Sequence, residues 1–188
     1  MPLGEEWNKP AKVCMIGDSI TSQASSYLAN LPYPYSSMNL QGVSGNTCAQ
    51  VYARRGDIPS DCQQVILQMG TNDLFGLADE TDIVPKYSSF LSWFSTNRPG
   101  MRLVVMGIPP IDATQLAASY PGGVGKLTST YINAAHLDII DLCSSYGFAV
   151  PAMASMLGNQ NGLTSDGIHA AGASYYQNLM RLAGRYRL

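Results

Sequence analysis

The 188-residue chain holds only two histidines, His136 and His169, and one of them stands in a string suited to acid–base chemistry. His169 closes Thr164-Ser165-Asp166-Gly167-Ile168-His169. Asp166 lies three residues ahead, with a flexible glycine between. So short a loop can fold the carboxylate onto one imidazole nitrogen and leave the other facing a nucleophile. The candidate nucleophile sits at the far end of the chain, in Lys12-Val-Cys-Met-Ile-Gly-Asp-Ser19-Ile20. There an apolar run stops at Gly17 and presents Ser19 at the tip of a strand-to-helix turn. A serine hydroxyl is a poor nucleophile at neutral pH unless a base lies within hydrogen-bond reach and an acceptor orients that base. Read locally, Ser19 is either that nucleophile or a helix cap. Asp166 and Ser165 likewise either serve His169 or cap the last helix. His136 lies on the shoulder of a helical stripe with no acid beside it, and reads as a packed or surface histidine.

Chemistry of this kind also needs donors for a developing oxyanion, where one good donor is commonly worth about 3–4 kcal/mol. The candidates are the backbone N–H of Ser19, the backbone N–H of Gly45 in Val43-Ser44-Gly45-Asn46, and the side-chain amide of Asn72 in Gly70-Thr71-Asn72-Asp73. Glycine at position 45 lets the backbone approach a ligand closely. Taken singly, Gly45-Asn46 is an ordinary turn and Asn72 an ordinary turn residue.

These residues must be positioned by the elements between them. Continuous apolar runs at Lys12–Ile16, Met38–Gln41, Val65–Met69, Leu103–Met106 and Phe148–Val150 predict strands covered on both faces, as in a parallel sheet. A helix is expected from about Ser22. Ile83, Val84, Tyr87, Phe90, Leu91 and Phe94 form a helical stripe, with Asp82 as the expected cap and Pro85 in the first turn. Ile132, Ala135, Ile139, Leu142, Cys143 and Tyr146 form a second, stopped by Gly147. Tyr176, Leu179, Met180 and Ala183 form the last, with Arg181 and Arg185 opposite. Alternating strands and helices predict one three-layer α/β domain spanning residues 1–188. Ligands in such folds bind at the carboxyl ends of the strands, which is where Ser19 and Asn72 fall.

The composition narrows the partners. Apolar residues make up 46% and charged residues 13%, and the formal net charge is −2. A chain of this length buries about 70% of its unfolded surface without staples. With no basic stripe, nucleic acid and anionic membranes are not expected as partners. No apolar run approaches the roughly 20 residues of a membrane span. The start of the chain has no apolar leader region, so a cytoplasmic protein is expected, although a secreted one already trimmed would read the same. Of the four cysteines, Cys14 and Cys143 read as core residues. Cys48 and Cys62 lie in less regular sequence and could pair, but reduced thiols are the simpler reading.

Taken together, the four short blocks resemble those of the SGNH, or GDSL, hydrolase family. The first resembles Gly17-Asp18-Ser19-Ile20, with Ile20 where the family nickname has leucine. The others resemble Gly45-Asn46, Gly70-Thr71-Asn72-Asp73 and Asp166-Gly167-Ile168-His169, all in order. The resemblance implies a flavodoxin-like three-layer fold with a five-stranded parallel sheet. It implies Ser19 as nucleophile, His169 as base and acid, and Asp166 as its orienter. Ser19, Gly45 and Asn72 would form the oxyanion hole, Asp18 and Asp73 would be scaffold, and no metal or organic cofactor would be required. The expected function is serine-dependent hydrolysis of short acyl esters, with O-acetyl groups on carbohydrate as a favoured substrate. A lysophospholipase or acyl thioesterase acting on longer chains is the alternative, and a non-catalytic binding module comes third. Specificity is expected in the loops Leu74–Asp82 and Pro109–Lys126. Oligomeric state is not legible.

Overall fold

A computed structural model describes residues 12–31, 34–150, 165–174, 176, 177 and 180. Four strands, β1 (Val13–Gly17), β2 (Asn39–Gly42), β3 (Gln64–Leu67) and β4 (Arg102–Val105), form one sheet in the order β2-β1-β3-β4. Every pairing is parallel. Six α-helices have both ends among the described residues: α1 (Ser19–Gln23), α2 (Cys48–Ala53), α3 (Thr71–Phe75), α4 (Glu80–Asn97), α5 (Ala113–Ser119) and α6 (Ser129–Tyr146); residues 173, 174, 176, 177 and 180 are also helical. The three-layer α/β expectation holds. Of the expected fifth strand, Phe148–Val150, only an isolated parallel bridge from Ala149 to Val104 is present. Residues 148–150 are half-exposed, and those from 151 to 164 lie outside the described residues.

The central strands are apolar apart from Gln64 at the start of β3, because both faces are covered. All of Val13–Gly17 and Gln64–Leu67 is buried. The α4 stripe faces this core: Ile83, Tyr87, Phe90, Leu91 and Phe94 are fully buried, and α4 packs on both α2 and α6. The α6 stripe is narrower, burying Ile132, Ala135, Ile139 and Cys143, and Gly147 ends the helix in the left-handed conformation as expected. In the last stripe Tyr176 and Met180 are buried. Its Leu179, Arg181, Ala183 and Arg185 lie outside the described residues.

Three local expectations need correction. The α4 cap is Asp79, not Asp82; Asp82 is the third helical residue and returns a bond to the Asp79 N–H, closing a capping box. This places Pro85 inside the helix rather than in its first turn. The first helix starts at Ser19, three residues earlier than expected, because the Asp18 carboxylate caps it by accepting from Ile20 N–H at 2.9 Å. Within Pro109–Lys126 the chain forms α5, capped by Asp112 through the N–H groups of Thr114 and Gln115.

The cysteine pairing also differs. Cys14 is bonded to Cys62, whereas Cys48 and Cys143 are free and buried. The parallel register sets Val13 beside Gln64, so Cys14 and Cys62 come within 6.2 Å between Cα atoms, a separation a disulfide spans. Cys48 opens α2 instead, its N–H held by Asp73 Oδ2 at 2.8 Å.

The strand order leaves a topological switch between β1 and β3, since the chain leaves β1 to one side for β2 and returns on the other for β3. The crevice outside the carboxyl ends at such a point is where open α/β sheets bind ligands. Ser19 follows β1 and Asn72 follows β3, one on either side of it.

Candidate active site

Gly17 ends β1 and hands the chain to α1. Its reason for being glycine is close approach: a Cβ there would lie 2.3 Å from the Gln68 carbonyl oxygen just after β3. Asp18 then turns inward, where it is fully buried. Its Oδ1 accepts from Ile20 N–H, and its Oδ2 from the Gln68 amide at 3.1 Å. Burial pushes the Asp18 carboxyl up to about 6, although the bonds from Ile20, Gln68 and Thr71 and the charge of His169 pull the other way. With Asp18 as the cap, Ser19 is left half-exposed as the first helical residue.

The Ser19 hydroxyl meets His169 across 150 residues of sequence, with Oγ 2.8 Å from Nε2. His169 Nδ1 lies 2.8 Å from Asp166 Oδ2. A carboxylate can only accept, so Nδ1 carries the proton, and in the neutral ring Nε2 is then an acceptor for the serine. Asp166 is well supplied with donors. Its Oδ1 takes the N–H of Ile168 at 3.0 Å and of His169 at 2.8 Å. Burial alone would raise this carboxyl, but the backbone and ring bonds from His169 and the Ile168 N–H outweigh it and hold it at about 2. Asp166 is therefore ionised over the whole neutral range.

The loop carrying Asp166 and His169 is docked from two sides. Gln23, at the end of α1, exchanges two hydrogen bonds of 3.0 Å with the backbone of Ala170, which ties the loop of His169 to the helix bearing Ser19. On the other side Gly167 lies so close to α5 that a Cβ would stand 2.4 Å from the Leu116 nitrogen, and its φ is +91°. Its carbonyl accepts from Asp112 N–H at 2.9 Å.

The remaining candidates converge on the same edge. Asn72 Nδ2 donates to the Asn46 carbonyl at 3.0 Å, joining the third block to the second. The second block is joined to the first through Val43 N–H, which donates to Gly17 O at 3.1 Å. Among the described residues, nothing accepts from the N–H of Ser19 or of Gly45. Asp73 holds the arrangement from below, its Oδ2 on Cys48 N–H and its Oδ1 on Lys86 Nζ at 2.7 Å. His136 stands apart, its Nε2 2.7 Å from the Ile108 carbonyl. Burial lowers its pKa, as for a packed histidine. Among the described residues no group of three His, Cys, Asp or Glu side chains converges as metal ligands would, and no helix is long and apolar enough to cross a membrane.

Sequence reasoning missed Arg54. Its guanidinium reaches Asn46 Oδ1 at 2.9 Å, Gln41 O at 3.1 Å and Gly17 O at 2.9 Å, so one side chain binds the ends of β1 and β2 to the Gly45 loop. It also missed Gln23 and Gln68, whose partners are distant in sequence and leave no local signature.

The family model for GDSL-like lipases and acylhydrolases matches residues 15–175. The chain belongs to this GDSL-like lipase/acylhydrolase family. Membership supports a hydrolase of ester substrates. Solved structures share the fold at low identity. A GDSL-like lipase from Bacteroides thetaiotaomicron superposes with a TM-score of 0.73 at 18% identity, covering 92% of this chain and 85% of that one. A lipase/acylhydrolase from Enterococcus faecalis gives 0.65 at 16%, covering 93% of each chain. A GDSL-family lipolytic protein from Veillonella parvula gives 0.69 at 16%, covering 94% and 99%. A search of curated proteins finds no match to the sequence. In this GDSL-like chain, the residues brought together at the strand ends are those of the four blocks.

Proposed function

We propose that the protein is a serine esterase that cleaves short acyl esters through an acyl-enzyme intermediate. The observation that carries this reading is the unbroken line from Ser19 Oγ through His169 to Asp166 Oδ2, with both separations 2.8 Å. Ser19 Oγ attacks the ester carbonyl while His169 Nε2 takes its proton. Asp166, ionised and held by backbone N–H groups, stabilises the imidazolium that forms. The carbonyl oxygen, now negative, is met by the N–H groups of Ser19 and Gly45 and by the Asn72 amide. His169 returns the proton to the departing alcohol. It then activates a water that releases the acid and restores the Ser19 hydroxyl.

Short acyl groups, including O-acetyl groups on carbohydrate, are the preferred substrates, since among the described residues no long insertion covers the strand ends. One observation favours the longer-chain alternative. An apolar cavity of about 340 Å³ is lined by Ile111, Leu116, Tyr120, Val124 and Leu127 among others, and Tyr120 also bonds Asp166. The bonded Cys14–Cys62 pair favours an oxidising compartment over the cytoplasmic reading.

The test is hydrolysis of p-nitrophenyl esters from acetate to octanoate by wild type and by Ser19→Ala. Loss of at least about a thousandfold in kcat, with the circular dichroism spectrum unchanged, is expected for a nucleophile. Equal rates would remove Ser19 from the chemistry. Rates that climb toward octanoate would replace the short-chain reading with the longer one.

A further inference from the structure

Tyr120 ends α5, and its hydroxyl donates to Asp166 Oδ2 at 3.0 Å. This is the same oxygen that accepts from His169 Nδ1. The other oxygen is already held by two backbone N–H groups, which suffice to set the plane of the carboxylate. The tyrosine is therefore not needed to orient Asp166. What its hydroxyl alters is the negative charge that Oδ2 presents to the imidazole. A second donor on that oxygen stabilises the charge locally, so the carboxylate stabilises a protonated ring less.

We propose that Tyr120 is a positioning residue of the Ser19–His169–Asp166 line, lowering the basicity of His169 through its hydrogen bond to Asp166 Oδ2. Several contacts fix the hydroxyl where this requires. The Tyr120 ring meets Phe75 edge-on, with centroids 5.2 Å apart. The start of α5 is bonded to the catalytic loop through Asp112 N–H and Gly167 O. Burial, and the bond to Asp166, raise the phenol's pKa, so it remains a donor at neutral pH. Among the described residues, the charged groups facing this line are few. Asp166 faces His169 and Tyr120, and the imidazole also faces the Asp18 carboxylate from the start of α1. Lys126, further along the same loop, is paired with Asp79. Tyr120→Phe removes one hydroxyl and leaves Asp18 and Lys126 with their partners.

With only two histidines in the chain, the ring C–H signals can be followed by proton NMR, and His136→Gln assigns them. Tyr120→Phe is expected to raise the titration midpoint of His169 by about half a pH unit, roughly threefold in proton affinity, the size of one modest hydrogen bond. The acid limb of kcat/KM against pH should move the same way. An unmoved midpoint would mean that the hydroxyl only fills space. A lowered midpoint would mean that it holds Asp166 in place, and either result overturns the proposal. The inference rests on the esterase reading for its kinetic arm alone. If wild type hydrolyses no ester, that reading fails and the titration still decides. Should the phenylalanine variant fold poorly, Tyr120→Met, which also lacks the hydroxyl, is read by the same criteria.

Discussion

Asp18 is fully buried beside the serine, and burial lifts its carboxyl from 3.8 to about 6. The sign of the consequence follows from linkage. An acid whose folded pKa is raised favours folding most when protonated, so its contribution is complete below about pH 3.8 and is lost as pH rises through about 6. Asp166 behaves oppositely: held at about 2, it contributes above pH 3.8 and loses that contribution as pH falls toward 2, outside the Asp18 window. Asp18→Asn keeps an acceptor for Ile20 N–H and cannot ionise. The difference in unfolding free energy, variant minus wild type, should therefore grow by about 2–3 kcal/mol between pH 4 and pH 7, at 1.36 kcal/mol per pKa unit. Urea titrations at the two pH values measure it, and a constant difference would show that Asp18 titrates as an exposed carboxylate does. That Asp18 braces the turn was legible from Gly17-Asp18-Ser19. That it is ionised at a cost was not, because the cost comes from burial, which only the assembled fold creates, and the bond from Gln68, fifty residues away, offsets part of it.

Among the elements, the loop after β2 has the least support of its own. Gly45 is exposed and has a φ of +80°, and the loop is held by Asn72, by Val43 and by the three bonds of Arg54. If the Gly45 N–H serves the oxyanion, the loop's placement matters most in the transition state. Arg54→Met should then lower kcat about tenfold while KM changes less than about threefold. A rise in KM with kcat preserved would instead place the loop in ground-state binding. The strands β1, β3 and β4 and the stripes of α4 and α6 were readable because burial on both sides, or on one helical face, leaves its pattern in the chain. The elements misread were those with competing signals. Pro109, Pro110, Gly122 and Gly123 disguised α5, although Asp112 with Gln115 three residues on was a readable start. At α4 two acids stand three apart, and the expected cap, Asp82, is instead the capping-box partner of the true cap, Asp79. Arg54 left no trace because its acceptors are mostly backbone carbonyls, which any sequence supplies.

Across the whole molecule, the four blocks come together because a parallel sheet sends every strand's carboxyl end to one edge, and the register of β1 on β3 fixes how closely. That register also brings Cys14 to Cys62, a pairing no spacing rule could choose over Cys48–Cys62 because it depends on which strands are neighbours. The link joins residues 48 apart and encloses both the Ser19 turn and the Gly45 loop. Constraining an unfolded loop of that length is worth about 4 kcal/mol on chain-entropy grounds, with measured values nearer 2–4. For a domain of this size each kcal/mol moves Tm by about 2–4 °C. Dithiothreitol should thus lower Tm by roughly 10 °C. Cys62→Ser should show a similar fall without reductant and no further response to it. A wild-type melting curve that ignores dithiothreitol would mean that the thiols stay reduced in solution and that packing between β1 and β3 carries the register alone. If the fall occurs while esterase activity at 25 °C is unchanged, the link acts on the unfolded chain and leaves the site's geometry to the sheet.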